Sequence, residues 1–495
     1  MNLKKIKLSS LFIILNTFVL FTSVLFIEEI YKLQFSESEY FKNQALSNRQ
    51  KVEVIEAKRG SILDREFNEV SETINAFNIG IYPEKIDDKK LVSELLAPLL
   101  QLDKAVIFER LNNNKNYFYL KRNIDFETGT KIKNWNYKGI NVEKSSKRII
   151  YSDSLTQIIG HVDPDGNGIE GLELYFDNSL KGTDGELRYE AAPNGDFIPQ
   201  GKSSILDPVH GEDLILSIDS ELQYISEDLC SEALQITQAF KCSVVFMNAE
   251  NGEIIISAEK SSINNKYFDI NLISGRALYE PGSALKIFTV GALLQNDEVN
   301  ENDTYYVEDK IEIIEESCNK NYEGLKGCFR DFLKHDPYEL TVKEIIERSS
   351  NVGTIKITQN SNVLEIENFL IKFGFGEKTG VELTGETRGG FIDNKRCVTC
   401  LSSLSIGYSV NVSQYQMVRA YSIIANGGND VKLTLTQKDN VDVEDKEIIS
   451  AEMSSRLKEL LINVVEGENG TGKSLRKEGY IIGGKTGTSR THLEG

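Results

Sequence analysis

The sequence predicts an α+β protein: an N-terminal transmembrane helix followed by two domains of mixed helix and strand. Three observations carry the prediction. Residues 8–27 form a run of twenty without a charged side chain. From about residue 45 to 195, short apolar alternations such as Ile79, Ile81 and Val142 sit between Asn, Lys and Asp clusters, as in a loop-rich α+β module. Beyond a stretch rich in proline and glycine, residues 193–211, helical and strand patterns sharpen.

The apolar run comes first. At about 1.5 Å per residue it reaches roughly 30 Å, one bilayer core. Lys4, Lys5 and Lys7 precede it, and Glu28 and Glu29 follow it. A basic flank stays in the cytoplasm, so residues 1–7 form a cytoplasmic tail and everything after residue 28 lies outside. No small-x-small cleavage site follows Ile27, which favours an uncleaved anchor over a removed signal peptide.

Composition bounds the rest. The 495 residues carry 75 acidic and 56 basic side chains, a formal charge of −19. With 40% hydrophobic residues, 20 Tyr and 23 Phe, this is a globular chain and not a solvating acidic tail. It lacks the basic footprint that displaces counterions from phosphates, which excludes nucleic acid as a partner. Six cysteines over this length exclude a disulfide-dense small scaffold. Cys318 and Cys328 can close a small loop, and Cys397 and Cys400 form one C-x-x-C. Without a second pair or nearby histidines that is a poor zinc site, so free or structural cysteines are expected.

In the second domain, Ser220 to Gln223 reads as an S-x-x-Q capping box, followed by apolar Leu222, Ile225 and Leu229 at helical spacing. Residues 244–247 and 254–256 read as strands joined through Asn251-Gly252. Three motif matches are decoys. Residues 467–474 read G-E-N-G-T-G-K-S, the phosphate-loop pattern, but a helical stretch precedes them where that loop needs a strand. Asp163, Asp165, Asn167 and Gly168 begin like a calcium loop, yet the position for a bidentate Glu holds Leu174, with Glu173 one place early. Lys378-Thr379-Gly380 follows no strand-like run. All three read as turns.

The chemistry begins at residues 279–286, Y-E-P-G-S-A-L-K, ahead of an almost wholly apolar run over 287–294. Such a helix is normally buried. Pro281-Gly282 stops the chain just before it, so Ser283 falls on the first turn and Lys286, three residues on, shares its face. S-x-x-K alone is weak, since Ser257, Ser455 and Ser474 also have Lys three residues later. Two further elements select Ser283. Thr341 and Glu344 make a capping box for a helix through Ile345 and Ile346 that ends at Ser349-Ser350-Asn351. Tyr480-Ile481-Ile482 reads as a strand running into Gly483-Gly484-Lys485-Thr486-Gly487-Thr488, where glycines let a ligand backbone approach closely.

S-x-x-K, S-x-N and K-T-G stand in that order, with 66 residues from Ser283 to Ser349 and 136 from Ser349 to Lys485. That conjunction is the signature of penicillin-binding proteins and related β-lactamases. The chain resembles a class B penicillin-binding protein, a monofunctional peptidoglycan transpeptidase, most closely of the septal, FtsI-like type. The resemblance covers nearly all of it. Residues 59–65, R-G-S-I-L-D-R, match the family's R-G-x-I-x-D-R signature after the anchor. Gly171-Leu172-Glu173 with Leu180, Gly182 and Gly185 resembles its pedestal element. Gly407-Tyr408-Ser409-Val410 and Ala425-Asn426-Gly427-Gly428 resemble two landmarks of the transpeptidase domain. The Tyr-Glu-Pro-Gly-Ser start favours the septal over the elongation type.

The resemblance implies an organisation: anchor at 8–27, pedestal (dimerisation-type) domain at 45–195, linker at 196–211, and a transpeptidase domain at 212–495 with an antiparallel sheet flanked by helices. It implies a single-pass protein of the cell inner membrane with its bulk periplasmic. It also implies roles. Ser283 attacks the carbonyl between the two terminal D-alanines of a stem peptide. No histidine is placed to serve it, so Lys286 takes the proton. An effective lysine base needs a pKa of about 7–8 instead of about 10.4, at a cost of roughly 4 kcal/mol. Burial and the second cation, Lys485, act in that direction. Ser349 passes a proton to the departing D-alanine, and Asn351 holds the peptide amide. Lys485, Thr486, Gly487 and Thr488 bind the donor's carboxylate and backbone, and the N–H groups of Ser283 and Thr488 form the oxyanion hole.

Neither metal nor cofactor is implied. The implied partners are stem peptides ending in D-Ala-D-Ala, β-lactams, a septal glycan polymerase, division proteins and the membrane. One departure stands out: in the family further sheet strands and a C-terminal helix follow K-T-G, whereas ten residues follow Lys485 here. The expectation is a chain cut short, with the strand of Lys485 as an exposed edge. The alternatives are a catalytically impaired membrane-anchored scaffold, or a D,D-carboxypeptidase or β-lactamase-type hydrolase.

Overall fold

The computed structural model describes residues 8–40, 44, 49–152, 155–192, 198, 203–262, 274–319, 326–392, 397–437 and 446–489. Lys4, Lys5, Lys7, residues 490–495 and part of the 193–211 stretch lie outside the described residues. The chain divides into two compact units, Met1–Arg59 with Lys181–Gly211, and Gly60–Leu180 with Glu212–Gly495.

In the first unit, a helix spans Leu8–Tyr31 and passes into a π turn, Lys32–Ser36. Among the described residues, Phe12–Phe35 is the one helix long and apolar enough to cross a membrane. Its phenylalanines and leucines are exposed rather than packed in a protein core, a surface suited to lipid. The strands Gln50–Ile55, Gly185–Glu190 and Ser203–Leu206 form an antiparallel sheet with Gly185–Glu190 in the middle. Residues 203–206 of the proline- and glycine-rich stretch are thus part of a sheet.

The second unit opens on a five-stranded sheet built around Glu69–Ile81. That strand pairs antiparallel with Ile140–Ile150 on one side, placing Ile79 opposite Val142 and Ile81 opposite Ile140. The apolar alternations mark a buried face. Phe77, Ile79 and Ile81 pack with Val92, Leu96 and Leu100 of the helix Lys89–Leu100, and with Ile107 and Leu111 of the helix Lys104–Asn113. Asp88 and Asp103 cap these helices, accepting from Leu91 N and Ala105 N. Glu173, in the pedestal element, is fully buried and paired with Arg148 at 2.6 Å. Truncating either partner would remove this buried ion contact.

Further on, the helix Ser220–Thr237 lies against an antiparallel hairpin, Lys241–Met247 with Ile254–Ser261, as the Asn251-Gly252 turn predicts. The expected capping box does not form. Asp219 caps the helix instead, accepting from Glu221 N and Leu222 N, while Ser220 Oγ donates to Asp64. Leu222, Ile225 and Leu229 lie on the exposed side, and the helix buries Gln223, Ser226, Glu227, Cys230 and Leu234. This polar face is buried because it is satisfied: Gln223 bonds both N–H and C=O of Ser257 on the hairpin. The six cysteines pair as Cys230–Cys242, Cys318–Cys328 and Cys397–Cys400.

The core of this part surrounds the helix Lys286–Gln295, in which every residue from Lys286 to Leu294 is buried. Phe288 meets Phe373, Phe375 and Tyr421 edge-on. Helices Val342–Glu347, Gln414–Ala425 and Ala451–Glu466 contribute Ile345, Ile423 and Leu457 to the same core.

The strand expected at Tyr480-Ile481-Ile482 is absent. Residues 481–489 take no regular secondary structure and pair with no strand among the described residues, and Ile481 is 84% exposed. An extended segment becomes a strand only when a neighbour takes its N–H and C=O groups. The backbone bond here goes to a helix, from Gly484 N to Leu461 O.

Candidate active site

Gly282–Leu285 is a 3-10 turn, and the Lys286 helix continues it. In a 3-10 turn side chains three apart eclipse, so Ser283 and Lys286 lie one above the other, joined by the Lys286 N–H donating to the Ser283 carbonyl. Ser283 is half-buried and Lys286 wholly buried. Gly282 has φ +54°, and a Cβ there would overlap the Thr488 carbonyl. A Cβ on Gly487 would come within 2.9 Å of the Pro281 carbonyl. These two glycines let the K-T-G segment lie directly against the Ser283 turn.

The capping box at Thr341 and Glu344 forms as expected and starts the helix Val342–Glu347. That helix ends in a left-handed turn: Ser350 N donates to Ile345 O and Ser349 N to Ile346 O. Glycine usually holds such a position, yet Ser349 holds it at φ +58°. Strain of this kind persists where the side chain is needed. The turn aims the Ser349 carbonyl at Lys286 and its hydroxyl at Lys485. A second helix, Asn351–Thr358, starts at once, capped by Ser350 Oγ accepting from Gly353 N at 2.8 Å.

Four predicted residues thereby meet. Lys286 Nζ donates to Ser349 O at 2.6 Å and to Asn351 Oδ1 at 2.7 Å. Lys485 Nζ donates to Ser349 Oγ at 2.6 Å and to Thr486 O at 3.0 Å. Burial first, and the Lys485 charge second, hold the Lys286 pKa well below its ordinary range, against an opposing pull from Asp331. Burial brings Lys485 to about 7. A neutral amine has two N–H donors and one lone pair. With both donors engaged by Ser349 O and Asn351 Oδ1, the Lys286 lone pair is left to accept a proton. Thr486, Gly487 and Thr488 are exposed along the same segment.

The decoys resolve as turns. Residues 467–472 close off the helix Ala451–Glu466, with Gly472 N bonded to Val464 O. The buried Glu347 carboxylate accepts from Asn463 Nδ2 and Asn469 N, and Thr471 Oγ1 reaches Thr486 Oγ1 at 2.8 Å. Asp163 accepts from Asp165 N and Asn167 N. Thr379 bonds Glu386.

Three supporting contacts could not be read from the sequence, although Gly407 belongs to a segment it singled out. Tyr421 OH donates to Ala284 O, Gly282 N to Gly407 O, and Asp331 takes the N-terminus of the Asn351 helix. Each joins segments far apart in the chain, where no local spacing speaks.

Comparison with known proteins agrees with this geometry. Residues 242–494 match the penicillin binding protein transpeptidase domain, and residues 54–216 the penicillin-binding protein dimerisation domain. Stage V sporulation protein D of Bacillus subtilis is 28% identical over 466 residues, covering 89% of this chain and 70% of that protein. Peptidoglycan D,D-transpeptidase FtsI of Buchnera aphidicola is 29% identical over 452 residues, covering 88% and 76%. The fold is similar to that in a complex between penicillin-binding protein PBP2 and MreC from Helicobacter pylori. The TM-score is 0.74 at 20% identity, over 89% of this chain and 90% of that one. The chain belongs to the class B penicillin-binding proteins, the serine-type peptidoglycan D,D-transpeptidases.

Proposed function

We propose that this protein is anchored in the inner membrane by the helix at 8–27, faces the periplasm, and cross-links stem peptides during septal wall synthesis. The observation that carries the catalytic reading is the array joining Lys286, Ser349, Asn351 and Lys485 beside the Ser283 turn. Lys286 takes the Ser283 proton as the hydroxyl attacks the penultimate D-alanine carbonyl, which becomes an oxyanion facing the N–H groups of Ser283 and Thr488. The C–N bond breaks, Ser349 protonates the departing D-alanine, and Lys485 resupplies Ser349. An amine from a second stem peptide then displaces Ser283 from the acyl-enzyme. Asn351 has Oδ1 on Lys286 and one N–H on the Arg330 carbonyl, which leaves its second N–H to hold the peptide amide. Lys485, Thr486 and Thr488 receive the donor carboxylate, and Gly487 lets the peptide backbone come close.

The septal assignment rests on Tyr279-Glu280-Pro281-Gly282-Ser283 and on the similarity to FtsI. Division proteins and a septal glycan polymerase are the partners it calls for. β-Lactams imitate the donor and acylate Ser283.

Fluorescent penicillin tests this directly. The full chain labels covalently at Ser283, and Ser283→Ala does not label. Absence of label on folded wild-type protein would sink the transpeptidase reading and leave the membrane-anchored scaffold. A fluorescent fusion tests the septal part, which fails if the protein spreads along the cell wall instead of gathering at the division site.

A further inference from the structure

Asp331 stands outside S-x-x-K, S-x-N and K-T-G, yet it converges on the second of them. It follows the strand Cys328–Arg330, which is held by pairing with Lys310–Glu312 and by the Cys318–Cys328 bond. From this braced strand three bonds reach three consecutive residues. Ser350 Oγ donates to Asp331 Oδ2 at 2.8 Å, Asn351 Nδ2 donates to Arg330 O at 2.7 Å, and Val352 N donates to Asp331 Oδ1 at 2.9 Å.

An asparagine amide can be turned over, exchanging an acceptor for a donor. Turned over, Asn351 would point N–H groups at the Lys286 amine. The Arg330 carbonyl forbids this, because it can only accept. The Asp331 carboxylate supplies the second half of the constraint. It takes a free N–H at the helix start, where a negative charge is favourable, and fixes Ser350, which caps that same helix.

Building on the transpeptidase reading, we propose that Asp331 is a positioning residue for acylation. It clamps the start of the Asn351 helix so that Asn351 presents an acceptor, and only an acceptor, to Lys286. It touches neither substrate nor the reacting atoms.

The carboxylate also acts through its charge. His335 Nε2 lies 3.1 Å from Asp331 Oδ2, and the imidazole stacks on Tyr338 at 4.3 Å. Arg348 lies over the Tyr338 ring at 5.2 Å. Lys286 and Lys485 are the amines of the site, and Asp331 pulls the Lys286 pKa upward against burial and Lys485.

The test compares full-length wild type, Asp331→Asn and Asp331→Glu for the rate of acylation by fluorescent penicillin across pH, with thermal midpoints alongside. His335→Gln serves as the control that removes the imidazole facing the carboxylate. Asp331→Asn should melt within a few degrees of wild type and acylate about 10-fold more slowly or worse. Its rate should rise with pH at lower pH than wild type, because a charge favouring the Lys286 ammonium is gone. Asp331→Glu keeps the charge but misplaces it, so it should be slow with the limb unmoved. If Asp331→Asn does not fold, Asp331→Glu alone decides. Wild-type rates in the folded variants overturn the proposal, as does slowing that tracks unfolding with no movement of the limb in Asp331→Asn. A wild type that never labels is a different failure, that of the transpeptidase reading itself.

Discussion

Lys485 Nζ donates to Ser349 Oγ at 2.6 Å across 136 residues of chain. Ser349 receives this bond from a left-handed backbone, φ +58°, where a glycine would be at ease. Its carbonyl receives Lys286. One strained residue therefore joins the two lysines of the site, and its strain is testable.

Ser349→Gly relieves the backbone and Ser349→Ala does not, since a Cβ in this region costs about 1 kcal/mol. Both remove the hydroxyl. The glycine variant should melt higher than the alanine variant, and neither should acylate at the wild-type rate. Equal melting points for the two would contradict the reading of strain.

Gly282→Ala places a methyl group on the Thr488 carbonyl at φ +54°, so backbone strain and overlap add. A loss of about 2–3 kcal/mol is expected, with slowed acylation. Gly479→Ala is the control: φ is +84° but nothing lies within 4 Å. It should cost about 1 kcal/mol, from backbone strain alone. Denaturant midpoints separate the two.

Lys485 titrates at about 7 in the folded protein against an ordinary 10.5. Between those values the unfolded chain binds more protons, so stability rises with pH. The penalty for the buried cation is complete below about 7 and disappears toward 10.5. Lys286, displaced in the same direction, adds to the slope. Urea midpoints taken from about pH 6 to about pH 9 should climb in wild type and climb less in Lys485→Met. Parallel curves would count against the buried charge.

Asp219→Ala removes the cap of the helix Ser220–Thr237 and should cost about 1 kcal/mol. An equal loss in the double variant Asp219→Ala/Gln223→Ala would show that Gln223 is idle. Its bonds to Ser257 predict a larger one.

The three motifs were legible because each is local. S-x-x-K needs one turn of helix, S-x-N one helix end, and K-T-G one glycine-bearing segment. The capping box at Thr341 and the Asn251-Gly252 hairpin were legible for the same reason. Capping at residue 220 was misplaced by one position, because Ser220 and Asp219 are both good caps and the nearby Asp64 claims the serine. The apolar spacing of that helix does not mark its buried face, because burial follows satisfied hydrogen bonds as well as apolarity, and the partner of Gln223 lies 34 residues away. The strand at residues 480–482 failed because strand propensity cannot supply a neighbour.

By itself the sequence determined the membrane-length helix, the order of the motifs and the residue types of the site, since composition and short spacing encode these. Tertiary structure alone decided that the two lysines share Ser349, that Asn351 turns its carbonyl oxygen to Lys286, and that the Arg330 carbonyl takes its N–H. The reason is physical. A lysine becomes a base, and an amide acquires a direction, only through burial and through partners on other elements. Those partners are tens of residues away in the chain and within 3 Å in the fold.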